Sequence, residues 1–161
     1  SGKFKLSRRR KLNFKEIQQQ AQEYYEQKFK KANEFLENAK FNYNKEWYVM
    51  ASFMLHQASE NFYYSIRLAF TLKSNKQHNL SKLSASVKRH SEELAKVFPR
   101  NNAEEKRLFT LLKDAYVEAR YNPNFLVTKE DIDALLPKVE LLRDITKFIC
   151  EQRIKEYGEM E

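Results

Sequence analysis

Turn-forming residues are scarce in this sequence, because its 161 residues include only two glycines and three prolines. β-Sandwiches, β-barrels and phosphate-binding loops place Gly and Pro at their turns, so this scarcity favours long helices with few connections. The chain also contains 12 Phe, 9 Tyr and 1 Trp. A chain of this length and aromatic content is expected to fold around a core rather than to be disordered.

Apolar residues recur at helical spacings of three and four from residue 14 onward. The first predicted helix carries an apolar stripe from Ile17 to Tyr43. The second starts near Glu46 and carries its main stripe from Ala51 to Ala69. Apolar residues of the second helix extend beyond that stripe, so we expect it to be either central in a bundle or shared with a second chain.

Two further helices are predicted after a polar loop over residues 74–79. The third helix starts at Leu80 and ends before Pro99. Asn102 is a candidate N-cap for the fourth helix. The dipeptide Asn122-Pro123 ends that helix, because a proline disfavours the helical conformation of the residue that precedes it.

The fifth predicted helix begins at Thr128, which has the spacing of a capping box with Asp131. Pro137 should either kink this helix or lie in the first turn of its main segment. Cys150 lies in the apolar stripe and is expected to fill the core. The predicted fold is therefore all-α, a five-helix up-and-down bundle over residues 14–157.

Most of the net charge of +8 lies in the first 15 residues, which contain no acidic residue. Seven basic residues account for it: Lys3, Lys5, Arg8, Arg9, Arg10, Lys11 and Lys15. Residues 1–13 are interpreted as a basic tail or linker from a longer protein. Such a tail is either a solvated linker or a non-specific contact for phosphate, including RNA.

Several classes of site are disfavoured by composition and spacing. A single cysteine excludes a disulfide framework and a multi-thiolate metal site. The three histidines do not have metal-ligand spacing, so we predict neither a metal nor a cofactor. No apolar run is long enough for a membrane span, and the predicted location is cytoplasmic.

Two groups of polar residues remain as site candidates. On a helical wheel His56, Glu60, Tyr63 and Arg67 fall on one side of the second helix, opposite its main apolar stripe. At the end of the fourth helix, Arg120 and the adjacent tyrosine could supply a cation and a stacking ring to a nucleotide. Equally, both groups could only join helices to one another or cap a helix end.

Three segments together resemble the HEPN domain. They are Phe-x-Leu-His-Gln-Ala-x-Glu over residues 53–60, His-x-Leu over residues 78–80, and Ala-Tyr-x-x-Ala-Arg-Tyr over residues 115–121. The resemblance covers about residues 20–155. It implies a helical bundle that usually forms a homodimer and acts in nucleotide or RNA biology. The subgroup with this Ala-Arg-Tyr ending resembles domains fused behind a nucleotidyltransferase domain, and the terminal domain of sacsin.

Many HEPN domains are metal-independent ribonucleases in which a histidine follows an arginine after four to six residues. Counting from Arg120, those positions are Phe125, Leu126 and Val127. The resemblance therefore predicts fold and binding but no ribonuclease activity from this domain alone, because its acid/base residue is missing.

The leading hypothesis is a non-catalytic nucleotide-binding and dimerisation domain, with an upstream nucleotidyltransferase domain in the full-length protein. The ligand is expected in a groove between the polar face of the second helix and the end of the fourth. There phosphate is expected to contact the arginines, and a base to stack on a tyrosine. The alternatives are a ligand-free interaction module and a HEPN ribonuclease with an atypical site. The candidate site residues are His56, Glu60, Tyr64, Arg67, His78, Lys82, Arg120 and Tyr121.

Overall fold

A computed structural model describes residues 13–160, and within that range the regular elements are five α-helices and two short 3₁₀ turns. The α-helices are α1 (Phe14–Asn44), α2 (Tyr48–Thr71), α3 (Leu80–Val87), α4 (Ala103–Tyr121) and α5 (Lys129–Gly158). The predicted all-α five-helix bundle is confirmed. Of the predicted basic tail, residues 1–12 lie outside the described residues.

Helices α1 and α2 form a hairpin with a three-residue connection. Asn13 caps α1 by accepting from the backbone N–H groups of Lys15 and Glu16. Glu46, in the connection, has a left-handed φ of 63° that turns the chain sharply. The second helix therefore starts at Tyr48, two residues later than expected.

Helix α5 packs antiparallel to α1 and parallel to α2. The start of α1 meets the end of α5, where the Gln18 side chain donates to the Ile154 carbonyl at 3.1 Å. At the other end of the pair, the hydroxyl of Tyr43 donates to Asp133. The hydroxyl of Tyr157 at the end of α5 donates to the Ala69 carbonyl near the end of α2, at 2.9 Å.

Helix α2 is the central element of the bundle, because it packs against α1, α3, α4 and α5. Of its 24 residues, 14 are buried, on all sides of the helix. The wide apolar surface that the sequence predicts is thus explained within one chain. The side of this helix that carries His56, Glu60 and Tyr63 is not exposed to solvent: all three residues are buried, and His78 and Tyr116 cover His56 and Glu60.

Helix α3 is shorter than predicted. It ends at Val87, and two 3₁₀ turns, Lys88–His90 and Glu92–Lys96, complete the segment before Pro99. Ser91 separates the two turns because it has an extended backbone, and its hydroxyl accepts from the Glu93 N–H at 3.2 Å. Seryl side chains compete in this way with a continuing helix.

Residues 72–79, here called the return loop, run back along α2 from its C-terminal end. His78 consequently lies beside Glu60, and Ser84 of α3 shares a cavity with Tyr63. Further along, the ring of His90 stacks on Phe70 at 4.2 Å. Helix α3 therefore runs parallel to α2, and the loop that precedes it covers the middle of α2.

Three local predictions for the last two helices are confirmed. Asn102 caps α4 through the Glu105 N–H at 2.9 Å, and Thr128 forms the capping box of α5. Cys150 is fully buried. Pro137 lies inside a continuous α5, so the helix does not restart there. Across residues 13–160, no helix combines the length and the apolar character that a membrane crossing requires.

Candidate functional site

The return loop is fixed to α2 by side chains of the helix. The hydroxyl of Tyr64 donates to the Gln77 carbonyl at 2.5 Å and accepts from the Gln77 N–H at 2.9 Å. At the following residue, Nε2 of His56 lies 3.1 Å from the His78 carbonyl oxygen. Because two buried α2 side chains bond the loop backbone, the position of the His78 ring is set by the helix core.

His56 acts in this arrangement as a neutral hydrogen-bond donor. Its side chain is fully buried, and that burial lowers the pKa of the imidazole to about 4. At neutral pH its Nε2–H donates to the His78 carbonyl oxygen at 3.1 Å. We therefore assign His56 to holding the return loop.

Glu60 is a buried carboxylate placed between the two histidines. Its Oε1 lies 3.0 Å from Nδ1 of His78, and its Oε2 lies 3.6 Å from Nδ1 of His56. Burial raises the pKa of Glu60, and the nearby His78 partly opposes that shift. Within the described chain Oε2 has no hydrogen-bond partner. His56, Glu60 and His78 are together called the His–Glu–His cluster below.

Tyr116 of α4 covers the other face of the cluster. The rings of His78 and Tyr116 are stacked, with centroids 4.5 Å apart and planes inclined by 11°. Arg120 lies 4.3 Å from the Tyr116 ring centroid, and its Nε donates to the Tyr116 carbonyl at 2.7 Å. The bond from Glu60 and the stack on Tyr116 together hold the His78 ring in one orientation.

A cavity of about 490 Å³ opens between α1, α2 and the return loop, and is called the lysine cavity. Its basic residues are Lys28, Lys31 and Lys76, and both Glu60 and His78 border it. The rings that line it are Tyr24, Phe35 and Tyr64. Cations and flat rings in one concave surface suit a ligand that combines a negative charge with an aromatic system.

A second cavity of about 450 Å³ lies on the opposite side of His78 and is called the Tyr116 cavity. Its charged lining residues are Lys113, Asp114 and Glu118 of α4. His78 borders both cavities, and 46% of its side chain is exposed. Its Nε2 edge is therefore the part of the cluster that a ligand can reach.

The eight candidate site residues fall into three groups: four that lie together, two at the end of α4, and two that lie apart from both cavities. The first group is His56, Glu60, Tyr64 and His78. In the second group, Arg120 reaches the same cluster through Tyr116. Tyr121 lies beside Arg120, with its ring centroid 4.9 Å from the guanidinium carbon, and is 71% exposed.

Arg67 and Lys82 border neither cavity. Lys82 is exposed, and its backbone N–H donates to Asn79, the N-cap of α3, at 3.1 Å. Within residues 13–160, Arg67 forms no ion pair with Glu60 or Glu118, the two partners suggested by the alternative structural interpretation.

Sequence reasoning missed the basic side of the lysine cavity, because it placed the groove between α2 and the end of α4. Tyr24, Lys28, Lys31 and Phe35 follow one another on α1 at spacings of four, three and four. That spacing puts two cations and two rings on one helix face, and it was available in the sequence. Lys76 lies in a loop and carries no such signal.

The three segments singled out in the sequence, residues 53–60, 78–80 and 115–121, meet at the His–Glu–His cluster. Helix α2 supplies His56 and Glu60, the loop supplies His78, and α4 supplies Tyr116 and Arg120. The family model described as the HEPN domain matches residues 25–149. The chain belongs to the HEPN domain family. A comparison of this HEPN domain with curated proteins finds no match.

The described part of the HEPN domain contains no group of three or more His, Cys, Asp or Glu side chains that could hold a metal ion. The positions where a ribonuclease histidine would follow Arg120 hold Phe125, Leu126 and Val127. Leu126 is 79% exposed and Val127 is buried. His56 and His78 both share the Tyr116 ring with Arg120, with ring centroids 5.1 and 4.5 Å from that of Tyr116.

Proposed function

We propose that this HEPN domain binds a nucleoside phosphate in the lysine cavity and does not itself catalyse a reaction. The observation that carries the proposal is the charge of the cavity. Lys28, Lys31 and Lys76 line it, and none of their ammonium groups forms an ion pair with a described carboxylate. Unpaired cations around a concave surface attract an anionic ligand, and partial enclosure strengthens that attraction.

The rings of the cavity support a nucleoside rather than a simple anion. Tyr64 is buried, whereas the rings of Tyr24 and Phe35 are half-buried at the cavity wall. A flat base that stacks on one of these two rings stays close to cations that contact its phosphates. His78 adds an exposed imidazole edge that is held in place for hydrogen bonding.

Calorimetric titration of the domain with ATP, GTP, CTP and UTP at two salt concentrations tests this proposal. At least one nucleotide should bind, and more weakly at the higher salt concentration, because screening weakens contacts between ammonium and phosphate groups. The Lys31→Ala variant should lose about fivefold or more in affinity, as expected for one lost charged hydrogen bond. Lys30→Ala is the matched control, since Lys30 is exposed on α1 and does not line the cavity.

Absence of binding by all four nucleotides would contradict the proposal. Equal losses in Lys31→Ala and Lys30→Ala would also contradict it, because the effect would then be one of overall charge. Full-length protein that carries an upstream nucleotidyltransferase domain would support the predicted division of labour, in which the HEPN domain binds substrate and the upstream domain carries the chemistry.

We also propose that the domain forms a homodimer through a surface at the start of α2. Phe41, Trp47 and Met50 are exposed there, and the rings of Phe41 and Trp47 are in edge contact. Clustered exposed apolar side chains of this kind favour association. Sedimentation should show a dimer that Met50→Glu dissociates, whereas Phe148→Glu, on the exposed face of α5, should leave it intact.

A further inference from the structure

The lysine cavity and the Tyr116 cavity have opposite chemical character on the two sides of one side chain. The lysine cavity contains three lysines and three aromatic rings, whereas the Tyr116 cavity has two carboxylates beside one lysine. His78 borders both. The buried Glu60 bonds its Nδ1, Tyr116 stacks on its ring, and His56 bonds its carbonyl, so His78 separates the two cavities as a fixed divider.

The carboxylates of the Tyr116 cavity are available to a ligand. Asp114 is exposed and forms no ion pair within the described chain. Glu118 accepts from the Asn122 side chain through Oε2 at 2.6 Å, and no described hydrogen bond uses its Oε1. Carboxylates that face a cavity accept hydrogen bonds from vicinal hydroxyl groups, as they do from ribose in dinucleotide-binding folds.

We propose that the two cavities form one bipartite site whose ligand is a nucleoside diphosphate joined to a sugar. The nucleoside lies in the lysine cavity, and the diphosphate passes the exposed edge of His78. The sugar hydroxyls then donate to Asp114 and Glu118 in the Tyr116 cavity, where Lys113 offers a further contact to the second phosphate. This inference rests on the proposed function and adds the second half of the ligand.

The volumes agree with a ligand of this length. Each cavity, at about 490 and 450 Å³, falls within the usual range for a small-molecule site. A nucleoside diphosphate alone would leave the Tyr116 cavity without a ligand group, whereas sugar hydroxyls there would donate to Asp114 and to Oε1 of Glu118.

Calorimetry with matched pairs of ligands tests the inference: ADP with ADP-ribose, UDP with UDP-glucose, and GDP with GDP-mannose. In at least one pair the sugar-bearing ligand should bind about tenfold more tightly, the gain expected from hydrogen bonds between hydroxyls and carboxylates. The double variant Asp114→Ala, Glu118→Ala removes both acceptors, so it should lose that gain and keep the affinity for the diphosphate. Asp144→Ala, which removes an exposed carboxylate of α5, is the control.

The outcomes separate this inference from the proposed function. If a diphosphate binds and no sugar conjugate binds more tightly, the bipartite site is wrong and the lysine cavity stands. A gain that persists in the double variant would also overturn the bipartite site. If no ligand of either kind binds, both proposals fail. A melting curve of the double variant checks that it folds.

Discussion

His56 and His78 are the same residue type, and both lie beside Glu60, yet their surroundings give them different roles. His56 is fully buried and bonds the backbone of the return loop, whereas 46% of the His78 side chain is exposed at the junction of two cavities. Burial lowers the pKa of His56 to about 4, so this ring stays neutral at physiological pH. The difference shows that position relative to the core, and not residue type, separates a histidine that holds a loop from one whose ring edge is accessible.

The same contrast holds for the two ends of the site. The buried end, made by His56, Glu60 and Tyr64, is satisfied mainly through contacts within the chain. At the exposed end, the lysines of the cavity form no ion pair with a described carboxylate. Variants at the buried end should therefore change stability first, and variants at the exposed end should change ligand affinity first.

The largest expected effect is the loss of stability in His56→Ala. The substitution creates a cavity beneath the return loop and leaves the His78 carbonyl without its donor, which together cost about 3 kcal/mol of unfolding free energy. His78→Ala, at the exposed end, should cost less, about 1–2 kcal/mol, because the buried Glu60 then loses the donor to its Oε1 and the Tyr116 ring loses its stack. Urea denaturation of both variants measures this, and equal losses would remove the distinction between the two histidines.

The pH dependence of stability provides the next test. The pKa of His56 is about 4 in the folded protein against 6.5 ordinarily, so the unfolded chain binds more protons between those values. Stability is therefore complete above pH 6.5 and is lost as the pH falls towards 4, by about 3 kcal/mol at most. Denaturation at several pH values in this window should show the loss, and His56→Gln should reduce it.

Glu60 contributes to the same profile with the opposite sign. Burial raises the pKa of Glu60 above its ordinary value of 4.5. Between that value and the raised pKa, the carboxyl is protonated in the folded protein and ionised in the unfolded chain. Stability from this group consequently falls as the pH rises. Glu60→Gln should make the acid loss of stability steeper than in the unmodified protein. A shallower profile in Glu60→Gln would show that Glu60 is ionised in the folded state throughout this range.

Local sequence signals predicted the fold well because caps and apolar spacing act over a few residues. Asn102, Thr128 and the ends of α4 follow directly from such signals. The third helix was predicted too long, since the apolar spacing continues to Val97 although Ser91 interrupts the helix. A single serine that adopts an extended backbone is not distinguishable by spacing from a serine within a helix.

The surroundings of the candidate residues could be predicted only in part, because they depend on the path of one loop. The sequence segments selected His56, Glu60 and His78, which the structure brings into contact. Nothing local in the sequence indicates that residues 72–79 run back along α2. That path brings the lysines of α1 beside His78, in a cavity that Arg67 does not line.

Replacement of His78 should weaken ligand binding at temperatures where a melting curve shows that the variant is still folded. In His78→Ala the exposed imidazole edge is lost, and nucleotide affinity should fall about tenfold, the loss expected when one charge-assisted hydrogen bond is removed. The measurement is calorimetric titration with the tightest-binding nucleotide. His90→Ala is the control, because His90 stacks on Phe70 and borders neither cavity. An unchanged affinity in His78→Ala would separate His78 from ligand binding.

The smallest expected effects distinguish the two arginines that sequence reasoning paired. Arg120 lies over the Tyr116 ring that supports His78, so Arg120→Ala should lower stability by about 0.5–1 kcal/mol, as for an exposed cation–π contact. It should also weaken nucleotide binding slightly, because the His78 ring then loses part of its support. Arg67 borders neither cavity, so Arg67→Ala should leave nucleotide affinity unchanged.

Melting curves and calorimetric titrations of both variants decide between these expectations. A large loss of nucleotide affinity in Arg67→Ala would indicate that the ligand binds in a groove between α2 and the end of α4, and not in the lysine cavity. A loss of stability in Arg120→Ala without any change in affinity would limit Arg120 to packing. Because Arg120 acts on His78 only through Tyr116, Tyr116→Leu should reproduce and exceed its effect on affinity, which a direct contact between Arg120 and phosphate would not predict.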